Sequence, residues 1–140
     1  MNRLFFRRFQ RARNQPILTE KMKLDAFLQK LSADPLSVTF DDTMAAVAES
    51  YEFTPAAFTN GNVRNEAGQN SGSCKLFAFA MLNKLSKEQT LACFGAYYRD
   101  DVLKHPDGTD HQNIRNFIQY GWDGVKFDSI PLSPKTTAGQ

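Results

Sequence analysis

The sequence predicts one compact, mainly α-helical domain, an α+β fold with at most two or three short strands. Three observations support this prediction: the length of 140 residues, the 41% of hydrophobic residues, and apolar positions that recur at helical spacing through much of the chain. A chain of this length and apolar content can bury one hydrophobic core. The stretch from residue 58 to residue 73 breaks the helical pattern, because it is rich in asparagine and glycine and poor in apolar residues.

The first two helices follow from apolar stripes and from the residues that bound them. Between residues 24 and 31, leucine and phenylalanine fall at i, i+3, i+4 and i+7, which is one face of a helix. Pro35 ends this helix, since the residue before a proline is disfavoured in the helical region. Asp41 or Asp42 is the predicted N-cap of a second helix, whose apolar stripe runs over residues 40–51.

The next helix, over residues 74–85, is predicted to be the centre of the fold. Its apolar residues fall nearly all round the helix, so it should be buried on most sides. Ser71 or Ser73 is its predicted N-cap. A long polar stretch that leads directly into a buried helix indicates a functional loop rather than a disordered one. We therefore expect residues 59–73 to be a long, ordered, irregular loop.

Two more helices complete the predicted domain. Ser86 and Gln89 have the spacing of a capping box, so a fourth helix should begin there. Gly95 lies within its apolar stripe and would allow a close approach of another segment. Asp110 is the predicted N-cap of a fifth helix, and Gly121 is the predicted residue just beyond its end.

The chain divides into three segments. Residues 1–21 form a basic N-terminal extension, residues 22–132 the domain, with a short strand at 125–127, and residues 133–140 a disordered tail. Within residues 1–13, phenylalanine and leucine alternate with arginine, a pattern typical of an amphipathic segment that lies on an anionic membrane or contacts a partner. The alternative is an extension that packs on nothing, or one that the working protein lacks.

The distribution of charge argues against a nucleic-acid-binding domain. From Met22 onward the chain has eleven basic and fourteen acidic residues, so the net charge of +2 arises from the extension. We find no run long enough to span a bilayer and no signal-peptide pattern. Cys74 and Cys93 lie in apolar helical sequence, which is not a disulfide framework and fits a reducing compartment.

Cys74 and His111 are the candidate catalytic residues, although the sequence leaves open whether the protein is an enzyme. Cys74 lies near the predicted start of the central helix, where backbone amides favour a thiolate and lower its pKa. A cysteine nucleophile also needs a nearby base, which His111 could supply if the fold brings the two together. The alternative is that Cys74 is a buried core residue and His111 a neighbour of a helix cap.

The segment from His105 to His111 contains two histidines and two aspartates, which are ligands that zinc or another transition metal could use. A turn accounts for Asp107 and a helix cap accounts for Asp110. The two remaining histidines are not at a recognised ligand spacing. We therefore expect neither a metal site nor a cofactor.

The basic residues Lys75, Arg99 and Arg115 could converge on the Asn/Gly-rich stretch and form a pocket for an anion, a carboxylate or a peptide backbone. Alternatively, Arg99 and Arg115 pair with nearby acidic groups and fix the local structure. The predicted ligand-binding residues, taken from this stretch and from the charged segments around it, are Asn60, Asn65, Glu66, Asn70, Lys75, Arg99, Asp110, His111 and Arg115.

Several blocks of the sequence resemble the HopJ family. The most extensive are residues 53–61, 65–70, 89–95 and 110–117, with shorter ones at 72–75, 97–99 and 121–124. The resemblance covers about residues 22–132. HopJ proteins are named as type III effectors, after members that pathogenic bacteria deliver into plant cells, and the family has no established catalytic activity.

The resemblance implies an effector-type or cytoplasmic module that binds a partner or a small ligand at the Asn/Gly-rich stretch. The partner would be a host or bacterial protein. The location would be the bacterial cytoplasm or, after type III secretion, a host cell. The alternative function is a small thiol-dependent hydrolase or transferase that uses Cys74.

Overall fold

The computed structural model describes residues 20–135, with side chains from residue 22. This part of the chain contains five α-helices and five three-residue strands, joined by loops and short helical segments of other types. The helices are α1 (Glu20–Ala33), α2 (Phe40–Ser50), α3 (Ser71–Leu82), α4 (Lys87–Ala92) and α5 (Gln112–Tyr120). The strands are β1 (Tyr51–Phe53), β2 (Phe58–Asn60), β3 (Val63–Asn65), β4 (Val125–Phe127) and β5 (Leu132–Pro134). The mainly helical class is confirmed, although the strands are more numerous than the two or three expected. None of the described helices is long and apolar enough to cross a membrane.

The start of α2 differs from the prediction by two or three residues. Its N-cap is Thr39, whose hydroxyl oxygen accepts a hydrogen bond from the Asp42 N–H at 2.9 Å. The Asp42 carboxylate accepts in return from the Thr39 N–H at 3.0 Å, which completes a capping box. The prediction of Asp41 or Asp42 as the N-cap was therefore wrong, because Asp42 occupies the third helical position of that box.

The Asn/Gly-rich stretch contains a β-hairpin, where we expected an irregular loop. β2 and β3 pair antiparallel, with Phe58 opposite Asn65 and Asn60 opposite Val63. Gly61 occupies the first position of the two-residue turn with φ of +62°, and a side chain there would run into the ring of Tyr120. A Gly-Asn pair between two strands is a hairpin signal, but strands of three residues are too short to show a clear alternation.

Two small antiparallel sheets flank the helices. β2 is the middle strand of one sheet, in the order β3-β2-β4, which confirms the strand predicted at residues 125–127. In the other sheet β1 pairs with β5, with Tyr51 opposite Pro134. Ser133 and Pro134 therefore lie in a strand rather than in a disordered tail, because β1 provides their partner. The expected tail and the N-terminal extension otherwise fall on residues 136–140 and 1–19, outside the described residues.

Helix α3 is the centre of the hydrophobic core, as predicted. Its residues from Leu76 to Ala80 are fully buried. The ring of Phe77 lies 5.0 Å from that of Phe117 and 5.5 Å from that of Phe94, measured between centroids. Trp122 packs edge-on against Phe117 at 5.1 Å. The core is thus a cluster of aromatic rings that joins α3 to α5 and to the segments on either side of α5.

The chain between α4 and the next helical segment turns at Gly95. The predicted capping box of Ser86 and Gln89 is present at the start of α4, which ends at Ala92. Gly95 has φ of +62°, and a side-chain carbon there would lie 2.8 Å from the backbone nitrogen of Phe40. The close approach expected at Gly95 is therefore confirmed, but the helix does not continue through it. A π-helical segment, Tyr97–Val102, follows.

Candidate functional site

Helices α3 and α5 both begin with a residue in the left-handed conformation. The N-cap of α3 is Asn70, with φ of +49°, and the N-cap of α5 is His111, with φ of +51°. Neither side chain caps its own helix. The predicted caps, Ser71 or Ser73 for α3 and Asp110 for α5, were therefore wrong. Asparagine and histidine are among the residues that tolerate this conformation best, which allows the chain to turn sharply into each helix.

Asparagines, most of them buried, join the hairpin to both helix starts. Asn65 Oδ1 accepts hydrogen bonds from Asn70 Nδ2 at 2.7 Å and from Asn113 Nδ2 at 2.9 Å. Asn60 Nδ2 donates to the Asn113 carbonyl oxygen at 2.7 Å, and Asn116 Nδ2 donates to the Asn60 carbonyl oxygen at 2.9 Å. We call these five residues the asparagine cluster. Because Asn60 and Asn65 have no exposed surface, these bonds replace hydration at the Asn60 amide nitrogen and at Asn65, and they fix the hairpin against α3 and α5. Asn60 Oδ1 is buried without a partner in the described residues.

Asn60, Asn65 and Asn70 were predicted from the sequence as site residues, whereas Asn113 and Asn116 were not. These two lie three residues apart, so they share one face of α5. That face also carries Phe117, which belongs to the core. Asparagines beside a core residue on one helical face were the available signal for a buried polar contact.

A cavity of about 370 Å³ opens between the starts of α3 and α5. Part of its lining is aromatic and part carries amide, hydroxyl and imidazole groups. The aromatic part consists of Phe40, Phe94 and Tyr97, and the polar part includes Asn70, Ser73 and His111. No lysine, arginine, aspartate or glutamate is among its described lining residues. We call this cavity the pocket.

Backbone N–H groups of both helix starts border the pocket. Within residues 20–135, the N–H groups of Gly72, Ser73, Gln112 and Asn113 have no hydrogen-bond acceptor. The first N–H groups of a helix have no partner within it, and they form the positive end of the helix dipole. The pocket therefore presents hydrogen-bond donors to whatever enters it.

His111 is held at the pocket by a neighbouring carboxylate and a neighbouring ring. Its Nε2 lies 3.1 Å from Asp101 Oδ2 and 3.8 Å from Asp110 Oδ2. The centroid of its ring is 5.3 Å from that of Tyr97. Tyr97 and Asp101 both belong to the π-helical segment, a rare conformation that often occurs at functional sites.

Cys74 does not line the pocket with His111. Its side chain is buried, and its Sγ lies 3.6 Å from the carbonyl oxygen of Ala56. Its N–H already donates to the Asn70 carbonyl oxygen at 3.0 Å, within the first turn of α3. Burial raises the pKa of the Cys74 thiol above its ordinary value, whereas a catalytic cysteine at this position would need a lowered pKa. The alternative interpretation, a buried core cysteine, agrees with this geometry.

We predict that both cysteines of the folded protein react slowly with a thiol reagent at neutral pH. The thiolate is the reactive form, and burial also raises the pKa of Cys93 to about 12 from an ordinary value of 9.0. Because the folded pKa exceeds the unfolded one, the associated stability is fully present below about pH 9 and is lost as pH rises towards 12. Alkylation rates and urea midpoints across pH 7 to 11 measure both effects. Rapid alkylation of Cys74 at pH 7 would contradict the prediction and support the thiol enzyme.

The two candidate arginines stabilise chain segments outside the pocket. Arg99 Nη2 donates a hydrogen bond to the Val38 carbonyl oxygen at 2.8 Å. Arg115 donates to the carbonyl oxygen and to the carboxylate of Asp110, at 2.6 and 2.7 Å, and to the His105 carbonyl oxygen at 2.8 Å. The Arg115 guanidinium is also the main reason that the pKa of Asp110 lies below its usual value. Arg115 thus pairs with an acidic group, as the structural alternative expects, whereas the hydrogen bonds of Arg99 go to backbone carbonyl oxygens.

The other charged candidates lie away from the pocket as well. The Lys75 ammonium group lies 4.8 Å from the centroid of the Phe53 ring, a cation–π contact. Glu66 is exposed and accepts a hydrogen bond from Arg64 Nε at 3.3 Å. Among the described residues, no group of three or more His, Cys, Asp or Glu side chains is arranged to hold a metal ion.

Taken together, the fold and the site define a small, mainly helical domain in which a β-hairpin and two helix starts enclose a polar and aromatic pocket. The chain belongs to the HopJ family: the family model described as HopJ type III effector protein matches residues 24–132. This match confirms the resemblance found in the sequence.

A solved structure is also similar, the crystal structure of the protein VPA0580, whose function is unknown. The TM-score is 0.79 and the sequence identity 55%, over 80% of this chain and 93% of that chain. No curated protein matches the chain.

Proposed function

We propose that this HopJ-family protein binds a small polar ligand in the pocket between the starts of α3 and α5. The observation that carries the proposal is the convergence of two helix starts, with unpaired N–H groups, on one cavity. The volume of about 370 Å³ falls within the range of roughly 300–1,000 Å³ that is typical of small-molecule sites. The protein would bind this ligand in the bacterial cytoplasm or, if it acts as an effector, in a host cell.

The backbone conformation at the pocket supports this proposal. In the described part of the chain, three non-glycine residues have positive φ: Asn70, Lys84 and His111. Two of them line the pocket. Such conformations cost free energy and persist where the surrounding structure enforces them, which happens often at binding and catalytic sites. Here the asparagine cluster fixes Asn70, and the Asp101 carboxylate and Tyr97 ring hold His111.

Binding is a better description than covalent catalysis. The buried thiol of Cys74 lies outside the pocket, so the proposed thiol chemistry has no access to a ligand there. The residues that do line the pocket offer amide, hydroxyl and imidazole groups and aromatic surface. Such a lining favours recognition by shape and hydrogen bonds.

A library of small polar molecules, added to isotopically labelled full-chain protein, tests the proposal by NMR. We expect a bound molecule to shift the amide signals of Gly72, Ser73, Gln112 and Asn113 together. Ser73→Phe should abolish these shifts because the larger side chain fills the pocket. Ser71→Phe is the matched control, since Ser71 is in the same helical turn but does not line the pocket. Shifts that survive Ser73→Phe would place the ligand elsewhere and contradict the proposal.

A further inference from the structure

We propose that the ligand contains a planar heteroaromatic ring, of the kind found in nucleobases, which packs against Tyr97 and Phe40. The inference rests on the proposed function, because it names the class of ligand that the same pocket takes. Two independent features of the lining support it: the available aromatic surface, and the mixture of unpaired donors and acceptors around it.

The aromatic surface of the pocket is contiguous and partly open. The Phe40 ring lies 5.3 Å from that of Tyr97, at an interplanar angle of 68°, and 6.3 Å from that of Phe94. Tyr97 is 45% exposed and Phe40 is partly exposed, whereas Phe94 is buried. Aromatic surface that stays open inside a concave pocket is typical of a binding site. Because the two rings lie at 68° to each other, a flat ring would stack on one of them and meet the other at its edge, and aromatic side chains stack with any base.

The polar groups around this surface include both donors and acceptors. Within the described residues, Asn70 Oδ1, Gln112 Oε1 and the Ser73 hydroxyl have no hydrogen-bond partner, although the amide nitrogens of Asn70 and Gln112 do. The N–H groups of Gly72 and Ser73 add donors. A ring with nitrogen and oxygen atoms at its edge can satisfy both kinds of group, as bases do with amide side chains.

Other ligand classes match only part of the lining. A hydrocarbon ring would cover the aromatic surface but leave the polar groups without partners, which is unfavourable. An inorganic anion would accept from the N–H groups and the Ser73 hydroxyl but leave the aromatic surface and the amide oxygens unused. The described lining also has no lysine, arginine, aspartate or glutamate side chain that could form an ion pair with a charged ligand.

Titration of the full chain with adenosine, cytidine, ribose 5-phosphate and inorganic phosphate tests the inference. We expect at least one of the two nucleosides to shift the pocket amides and to bind about tenfold or more tightly than ribose 5-phosphate or phosphate. Tyr97→Ala should weaken nucleoside binding about tenfold, as loss of one stacking partner predicts. Leu103→Ala should leave binding unchanged, because Leu103 is exposed near the same helical segment but does not line the pocket.

The outcomes separate this inference from the proposed function. The inference of a heteroaromatic ligand is wrong if ribose 5-phosphate or phosphate binds as tightly as the nucleosides. It is also wrong if Tyr97→Ala binds the nucleosides as tightly as the unaltered protein. In both cases the pocket is still a binding site. If neither nucleoside binds, the inference is overturned. The proposed function then depends on the library experiment with Ser73→Phe.

Discussion

Gly95→Ala should lower the free energy of unfolding by about 3 kcal/mol, a large effect for one added methyl group. Two effects add. The left-handed conformation destabilises an L-residue by about 1–2 kcal/mol, and the new carbon overlaps a fixed backbone. That carbon would lie 2.8 Å from the Phe40 nitrogen and 3.1 Å from the Thr39 Cα. Neither atom belongs to a flexible side chain that could move aside. Urea unfolding followed by circular dichroism measures the change.

Gly68→Ala provides a matched control for this prediction. Gly68 also has positive φ, of +89°, but a side-chain carbon there would meet no atom within 4 Å. Its substitution should therefore cost only the conformational part, about 1–2 kcal/mol. Equal losses for the two variants would show that the segment at Gly95 can move away from α2, contrary to the close packing described above.

Asn65→Ala should destabilise the domain by about 3 kcal/mol. Asn65 Oδ1 is the acceptor for both Asn70 and Asn113, and its Nδ2 donates to Asn113 Oδ1 at 3.2 Å. Removing it leaves the buried amide nitrogen of Asn113 without an acceptor, which costs about 1–3 kcal/mol, and also removes the bonds from Asn70 and to Asn113 Oδ1. Thermal and urea unfolding measure the loss. Glu66→Ala, next along the chain but exposed, should change stability by less than about 0.5 kcal/mol.

A small effect of Asn65→Ala would mean that water or a rearranged side chain satisfies Asn70 and Asn113. The asparagine cluster would then not fix the pocket. In that case the amide signals of Gly72 and Gln112 should remain at their original positions. A rigid cluster instead predicts that both signals shift in the variant, because the two helix starts lose their common acceptor.

Local rules were enough to predict much of the fold. The apolar stripe of α1 and the proline after it depend on a few neighbouring residues, as does the capping box at Ser86 and Gln89. The hairpin was missed because its strands are short and its buried residues include two asparagines, which do not resemble a strand pattern. The cap at Asn70 was missed because a left-handed asparagine replaces the usual capping side chain.

The candidate site could be predicted only in part. Asn60, Asn65 and Asn70 were identified because asparagine is concentrated in one segment, and His111 because it is one of two histidines. Their partners Asn113 and Asn116 come from a distant helix, and no local pattern shows which helix packs on the hairpin. For the same reason the sequence left open whether Arg99 and Arg115 reach the Asn/Gly-rich stretch or pair elsewhere. Their carbonyl partners become neighbours only through the tertiary fold.

The pairing of β1 with β5 limits when the domain can finish folding during its synthesis. Beyond the strands, the Lys135 N–H donates to the Ser50 carbonyl oxygen at 3.0 Å, and the Lys135 ammonium group donates to the Ala48 carbonyl oxygen across 87 positions of sequence. A nascent chain emerges from its N-terminal end, so α2 and β1 are exposed to other polypeptides long before β5 exists. Until then the edge of β1 is open to incorrect partners. Such a chain would depend on chaperones more than its small size suggests, and deletion of the last strand would harm its yield in cells.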